Sequence, residues 1–127
     1  MTERKLIHII DDEDAIRRSA GFMLKTSGYA VETWASGADF LKDARNAEHG
    51  CILLDIRMPG TNGVELCRQI RAIPGHKRTP IMMITAMTDR AYIDEAFAAG
   101  ASDYLTKPID AYQLVSLIRV WLGARTR

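Results

Sequence analysis

Short runs of apolar residues recur along the chain and predict five β-strands. Cys51–Leu54 is apolar throughout, and the run from Leu6 to Ile10 is interrupted only by His8. Strands that are buried on both faces of a parallel sheet have this continuous apolar pattern. The predicted strands are Leu6–Ile10, Val31–Trp34, Cys51–Leu54, Pro80–Ile84 and Asp103–Leu105.

Between these runs, apolar residues recur every three to four positions, which is typical of amphipathic helices. We expect Asp14 and Ser36 to cap the first two helices, and Gly28 stands where the first helix needs a left-handed residue to end. The segment Met58–Gly63 contains Pro and Gly and predicts a loop. The apolar stripe of the last helix comprises Leu114, Leu117, Ile118, Trp121 and Leu122.

Alternating strands and helices predict right-handed βαβ units and a parallel sheet with helices on both faces. The expected class is therefore α/β, a flavodoxin-like doubly wound fold of five strands and five helices. The strand order 2-1-3-4-5 fits this count better than the six-stranded order of dinucleotide-binding domains. The 127 residues suffice for a single domain, 1–127. We expect its core at about 5–122, and a tail or the start of a linker at 123–127.

Composition narrows the range of function classes. With 47% hydrophobic and 26% charged residues and a net charge of +1, the chain is an ordinary globular protein without a general attraction for nucleic acid or anionic lipid. No apolar run approaches the roughly 18 residues of a membrane span or forms a signal peptide, which predicts a cytoplasmic protein. Cys51 and Cys67 are isolated from each other in sequence and are expected to be buried free thiols.

Polar residues stand where the predicted strands end. Asp11 and Asp12 follow the first strand, Asp55 the third, and Thr85 the fourth, while Lys107 follows the fifth. Ligand sites of open α/β sheets lie at the carboxyl ends of the strands, at the point where the strand order reverses. We therefore expect these side chains to converge, although each one alone is more often a loop charge or a cap.

The residue types at this edge predict phosphoryl chemistry. Clustered carboxylates repel one another unless a cation neutralises them, and hard oxygen ligands suit Mg²⁺. A carboxylate beside such a metal can attack phosphorus, which makes Asp55 the candidate nucleophile. Thr85 can hydrogen-bond a phosphoryl oxygen and Lys107 can pair with it, so phosphorylation would pull two loops together and act as a switch. Glu13 is expected to be a solvated loop charge and Asp103 a surface residue.

Four segments together identify a family. They are IIDDED after the first strand, CILLDIRMPGTNGVEL around the third, IMMITA at the fourth, and GASDYLTKPID around the fifth. With these motifs the chain resembles, from about Lys5 to Leu122, the receiver domain of bacterial two-component response regulators.

The resemblance implies a phosphorylation site and a metal site. Asp55 is expected to accept a phosphoryl group from a phosphohistidine on a sensor histidine kinase or a histidine phosphotransfer protein. Asp12 and Asp55 would bind Mg²⁺ directly, with Mn²⁺ as the alternative ion, and Asp11 would act through water. The backbone carbonyl of Arg57 would complete the protein ligands.

The resemblance also implies a switch rather than an enzyme. Thr85 and Lys107 would hold the phosphoryl group, Tyr104 would turn inward on activation, and the Lys107–Pro108 peptide bond would be cis. The chain would catalyse only its own phosphorylation and a slow autodephosphorylation.

Phosphorylation would change the surface of the fourth helix, fifth strand and fifth helix, which could then form a homodimer. Residues expected to be exposed there are Ala91, Tyr92, Ala98 and Ala99. We expect no direct contact with nucleic acid or membrane, and the sequence leaves open a stand-alone regulator or an isolated module.

Three alternatives remain at this point. A phosphatase of the haloacid dehalogenase type would use the D-x-D spacing of Asp12 and Asp14, but Ile16 stands where that motif wants Thr or Val. A flavodoxin-like cofactor binder would need a phosphate loop after the first strand, where this chain has four acidic residues. A constitutive docking module would have no physical need for the full set of carboxylate, hydroxyl and lysine positions.

Overall fold

Five parallel strands build one sheet, with helices following the strands along the chain. The computed structural model describes residues 5–43, 50–58, 61–86 and 90–125. The strands are β1 (Leu6–Ile10), β2 (Ala30–Trp34), β3 (Cys51–Asp55), β4 (Ile81–Thr85) and β5 (Asp103–Thr106). The helices are α1 (Asp14–Thr26), α2 (Gly37–Asp43), α3 (Gly63–Arg71), α4 (Arg90–Ala98) and α5 (Ala111–Arg125).

The sheet has the order β2-β1-β3-β4-β5, and every neighbouring pair is parallel. This confirms the predicted flavodoxin-like α/β class and its strand order. The order reverses between β1 and β3, so the carboxyl ends of these two strands flank the crevice in which such folds bind ligands.

Both faces of the sheet are covered, which explains the continuous apolar runs. Successive side chains of a strand point to opposite faces. On β3, Ile52 and Leu54 pack into one core cluster with residues of α3, whereas Cys51 and Leu53 pack into another with residues of α1 and α5. Each residue of β3 is buried. The central strands therefore need apolar side chains at both even and odd positions.

Helix ends follow the predicted caps in two cases of three. Ser36 Oγ accepts a hydrogen bond from the backbone N–H of Asp39 at 3.1 Å, and Gly28 has a positive φ of 99° directly after α1. The prediction for Asp14 is wrong because α1 begins at this residue, after Glu13. The Asp14 carboxylate lies 3.2–3.3 Å from Arg17 and Arg18 one turn further along the same helix.

Part of the predicted loop after β3 forms regular structure, while residues 59–60 lie outside the described residues. Arg57–Met58 and Thr61–Asn62 form a two-residue antiparallel pair. Asn62 then caps α3, since its Oδ1 accepts a hydrogen bond from the backbone N–H of Val64 at 2.8 Å. This segment fixes where α3 begins relative to the end of β3.

Both cysteines are buried and free, as predicted. Burial raises the pKa of Cys51 to about 12 and also raises the pKa of Cys67. Helix α5 continues to Arg125, so residues 123–125 are helical. Residues 126–127 lie outside the described residues. Among the described helices, none combines the length and the apolar composition that crossing a membrane requires.

Candidate functional site

Three carboxylates and an ammonium group meet at the carboxyl edge of the sheet. Ligand oxygens of Asp11, Asp12 and Asp55 all lie within 4.8 Å of one another. Lys107 Nζ lies 3.2 Å from Asp55 Oδ2 and 3.9 Å from Asp11 Oδ2. The fold therefore brings together residues from three separate segments that sequence analysis assigned to one edge.

Backbone contacts hold the segment after β5 close to β4. The backbone N–H of Lys107 donates to the carbonyl oxygen of Thr85 at 2.7 Å. Thr85 is buried at the end of β4, one residue beyond Ile84, which is the register partner of Asp55. The Lys107–Pro108 peptide bond is cis. Thr85 thus ends β4, and Lys107 directly follows the neighbouring strand β5, where its ammonium group contacts Asp55.

A close approach of backbones places α3 directly against Asp55. The backbone N–H of Gly63 donates to the carbonyl oxygen of Ile56 at 2.8 Å. A Cβ atom at position 63 would collide with the carbonyl oxygen of Asp55 and with Ile56. The first residue of α3 must therefore be glycine for Asp55 to keep this position.

Asp11 is the most deeply buried carboxylate of the cluster. Asp11 is fully buried, and its Oδ1 accepts a hydrogen bond from the backbone N–H of Glu13 at 2.9 Å. Its Oδ2 is buried without a hydrogen-bond partner among the described residues. Burial, mainly, and repulsion by Asp55 and Asp12 raise the pKa of Asp11 to about 6, although the Glu13 hydrogen bond and Lys107 oppose this.

Such a site fits a divalent cation. The carboxylate oxygens are hard ligands, and Asp11 Oδ2 accepts no hydrogen bond within the described part of the chain, where Lys107 Nζ lies 3.9 Å from it. A buried carboxylate oxygen that accepts no hydrogen bond is costly, whereas a cation would neutralise its charge. The residues present can therefore hold a metal ion.

Lys107 remains a cation in this setting. Burial alone would lower the pKa of Lys107, but the charge and hydrogen bond of Asp55, the charge of Asp11 and the hydrogen bond of Glu13 together raise it. The ammonium group is thus fixed by carboxylates and is available to pair with an added anion.

Sequence analysis missed the contact between Glu13 and Lys107. Glu13 is exposed, as expected of a loop charge, but its Oε1 lies 3.3 Å from Lys107 Nζ. The two residues are 94 positions apart, so no local spacing relates them. The only available indication was the position of Glu13 directly after the two aspartates.

The prediction that Asp103 is a surface residue is wrong. Asp103 is half-buried at the start of β5, and its Oδ2 accepts a hydrogen bond from Trp121 Nε1 on α5 at 3.2 Å. The neighbouring Tyr104 is half-buried, with its ring edge-on to Phe97 of α4 at a centroid distance of 6.2 Å. The Tyr104 ring therefore packs on the side of β5 that faces α4.

The surface around β5 differs in part from the prediction. Ala91 and Ala98 are exposed, but Tyr92 is half-buried and Ala99 is buried, so the expectation that all four are exposed is wrong. A groove of about 630 Å³ runs along β5 and α5, and Tyr112 and Val120 on its rim are 80% and 63% exposed.

Comparison with known proteins identifies the family. The model of the response regulator receiver domain matches residues 7–119. The chain belongs to the response regulator receiver domain family. Receiver domains are signalling domains of two-component systems, so the haloacid dehalogenase and cofactor-binding alternatives do not apply. Consistent with this, Asp14 pairs with arginines of α1 rather than joining the described carboxylate cluster.

Three relatives illustrate the similarity of this receiver domain. The transcriptional regulatory protein FixJ of Azorhizobium caulinodans is 38% identical over 97% of the chain and 57% of its own length. The chemotaxis protein CheY4 of Vibrio cholerae has a TM-score of 0.90 and 32% identity, covering 94% of this chain and all of its own.

The third relative is the receiver domain of the sensor histidine kinase PA1611 from Pseudomonas aeruginosa, with a magnesium ion coordinated in its active site cleft. It has a TM-score of 0.87 and 29% identity, covering 95% of this chain and 99% of its own. The chain spans about half the length of the first curated relatives it matches.

Proposed function

We propose that this receiver domain accepts a phosphoryl group on Asp55 from a phosphohistidine of a sensor histidine kinase or histidine phosphotransfer protein. The observation that carries the proposal is the distance of 3.2 Å between Lys107 Nζ and Asp55 Oδ2, beside two further carboxylates. A nucleophile, a cation for the transferred oxygens and a site fit for a metal ion are the parts that phosphoryl transfer needs.

The transfer exchanges one bond to phosphorus for another. A carboxylate oxygen of Asp55 attacks phosphorus, and the bond between phosphorus and the imidazole nitrogen breaks. Its electron pair stays with the histidine, which leaves as neutral imidazole after taking up a proton. Lys107 offsets the negative charge of the phosphoryl oxygens, and the Thr85 hydroxyl donates to one of them.

The proposed metal ion is Mg²⁺. Asp12 and Asp55 would be its direct ligands, Asp11 would bind through water, and the backbone carbonyl of Arg57 would complete the protein ligands. When bound, the ion would neutralise the carboxylates and offset charge on the phosphoryl oxygens. Three observations favour this choice: the hard oxygen donors, the lack of a hydrogen bond to Asp11 Oδ2 among the described residues, and the magnesium ion of the PA1611 receiver domain.

The proposed output is a change in the surface of α4, β5 and α5. Thr85 and Lys107 turn toward the phosphoryl group, and Tyr104 turns inward. This surface then forms a homodimer or binds a partner, while the domain itself contacts no nucleic acid. The chain is proposed to act as one receiver domain in the cytoplasm and to catalyse only its own phosphorylation and slow dephosphorylation.

Intact-mass measurement with a small phosphodonor tests the proposal. Wild type incubated with acetyl phosphate and Mg²⁺ is expected to gain one phosphoryl group. Asp55→Asn keeps the shape of the side chain but lacks the nucleophile, so it should gain none, and chelation of Mg²⁺ should prevent the gain in wild type. Equal labelling of both proteins would contradict the proposal.

A further inference from the structure

The Lys107 ammonium group donates hydrogen bonds to two carboxylates that differ in exposure. Asp55 Oδ2 lies at 3.2 Å and Glu13 Oε1 at 3.3 Å from Lys107 Nζ. The Asp55 side chain is 5% exposed and the Glu13 side chain is 58% exposed. The ammonium is therefore held from the interior by Asp55 and from the solvent side by Glu13.

The position of Glu13 is fixed by the carboxylate cluster itself. Its backbone N–H donates to Asp11 Oδ1 at 2.9 Å, directly before α1 begins at Asp14. This hydrogen bond fixes the Glu13 backbone at the rim of the site, from which its side chain extends. Glu13 contributes no ligand oxygen to the described carboxylate cluster of Asp11, Asp12 and Asp55.

We propose that Glu13 is a positioning residue that holds the Lys107 ammonium at the rim of the site and thereby favours the unphosphorylated form. The proposal rests on the proposed phosphorylation of Asp55. A phosphoryl group on Asp55 adds negative charge beside Lys107, and its oxygens compete with Glu13 for the N–H donors of the Lys107 ammonium group. It also repels the Glu13 carboxylate, so the Glu13–Lys107 contact is stronger before phosphorylation than after.

A contact that differs between two states shifts their populations by that difference. The loss of an exposed ion pair of this kind changes an equilibrium constant by up to about fivefold. Removal of the Glu13 carboxylate should therefore raise the ratio of phosphorylated to unphosphorylated protein about two- to fivefold. The gain should shrink at high ionic strength, because salt screens exposed charges.

Asp14 provides a matched control. It is the next residue, and its side chain is 62% exposed, but its carboxylate pairs with Arg17 and Arg18 of α1. Asp14→Asn removes the same charge from almost the same place and leaves the contact between Glu13 and Lys107 intact. A difference between Glu13→Gln and Asp14→Asn therefore reports the contact rather than the overall charge.

Two measurements on wild type, Glu13→Gln and Asp14→Asn test the inference. The first is the ¹⁵N NMR signal of the Lys107 ammonium without metal or phosphodonor, which we expect to move in Glu13→Gln only. The second is the steady-state phosphorylated fraction with subsaturating acetyl phosphate and Mg²⁺, which we expect to rise in Glu13→Gln only. Glu13→Asp, which keeps the charge but has a shorter reach, should behave like Glu13→Gln.

The inference is overturned if the Lys107 signal is unchanged in Glu13→Gln, or if the fraction does not rise. It is equally overturned if Asp14→Asn raises the fraction as much, since charge alone would then be the cause. Failure of wild type to be labelled at all would instead overturn the proposed function. The NMR signal would still show whether Glu13 holds Lys107.

Discussion

The Asp11 carboxylate is buried, and its Oδ2 has no hydrogen-bond partner among the described residues. Its pKa is raised to about 6, chiefly by burial. A carboxyl group with a folded-state pKa above its unfolded value destabilises the fold when it is ionised. This cost is fully present above pH 6 and disappears as the pH falls through 6 toward 4.

Asp11→Asn is therefore expected to raise the free energy of unfolding at pH 7.5 by about 1–3 kcal/mol when no divalent cation is present. Asn removes the charge and keeps an oxygen for the backbone N–H of Glu13. The gain over wild type should fall to about a third at pH 4.5, where Asp11 is protonated in the folded protein but still mostly ionised in the unfolded chain. Urea unfolding of both proteins at the two pH values, with a chelator, measures it; a variant less stable than wild type at pH 7.5 would contradict this account.

Mg²⁺ is expected to stabilise the folded protein, and part of this effect should depend on the Asp11 carboxylate. A ligand that binds only the folded state stabilises it, by roughly 2.7 kcal/mol at one hundred times its Kd. Mg²⁺ is expected to raise the Tm of wild type and to raise the Tm of Asp11→Asn much less, because one carboxylate is lost. Thermal unfolding with increasing Mg²⁺ measures this, and equal shifts for the two proteins would argue against a metal site at Asp11.

The strand-end residues of the site could be predicted from the sequence, whereas one side-chain contact at the site could not. The positions of Asp11, Asp55 and Lys107 could be predicted because strand ends in a parallel sheet meet at one edge. The contact of Glu13 with Lys107 could not, since it joins side chains 94 positions apart. It depends on where a long, exposed side chain points, which residue type alone does not determine.

At the scale of elements, the connection from β3 to α3 controls the position of Asp55. Asn62 caps α3, and Gly63 packs its backbone against Asp55 and Ile56. The sequence predicts a turn here from Pro and Gly, but the antiparallel pair depends on residues on both sides of that turn. For Asp14 the sequence also could not decide between two positions, because acidic residues are favourable both at the cap and in the first turn of a helix.

Gly63→Ala is expected to lower the free energy of unfolding by about 1–3 kcal/mol, because the new methyl group collides with the backbone at Asp55. It should also reduce phosphorylation, since relief of the collision displaces the acceptor. Gly123→Ala in α5 is the control: a Cβ there meets nothing within 4 Å. That change should stabilise the protein by about 0.5–1 kcal/mol.

Urea unfolding of the two glycine variants beside wild type distinguishes the two sites. A Gly63→Ala protein as stable and as readily phosphorylated as wild type would show that the close approach is not required. Destabilisation by Gly123→Ala would contradict the open environment at that position.

At the scale of the whole molecule, fold class and strand order follow from the pattern of apolar runs, because burial of the central strands on both faces leaves few other topologies. The details of the surface do not follow. Ala99 is buried where exposure was expected, and Asp103 binds Trp121 across two elements. Such contacts depend on the relative placement of α4, β5 and α5, which periodicity along a single helix does not specify.

Phosphorylation is expected to change the oligomeric state through this surface. Wild type treated with acetyl phosphate and Mg²⁺ should double its mass in light scattering, while Asp55→Asn should not. Tyr112→Ala removes an exposed aromatic ring at the groove beside β5 and should weaken the dimer without altering phosphorylation. If Asp55→Asn forms the dimer to the same extent as wild type, dimerisation does not depend on phosphorylation and the prediction is wrong.

We propose that Asp55 is the residue that carries the phosphoryl group. The most direct measurement treats the phosphorylated protein with borohydride, which reduces an acyl phosphate to an alcohol, and locates the altered residue by peptide mass spectrometry. We predict homoserine in place of aspartate at position 55, dependent on both Mg²⁺ and the phosphodonor. Modification at another residue, or none at position 55 in protein that has gained a phosphoryl group, would contradict the account.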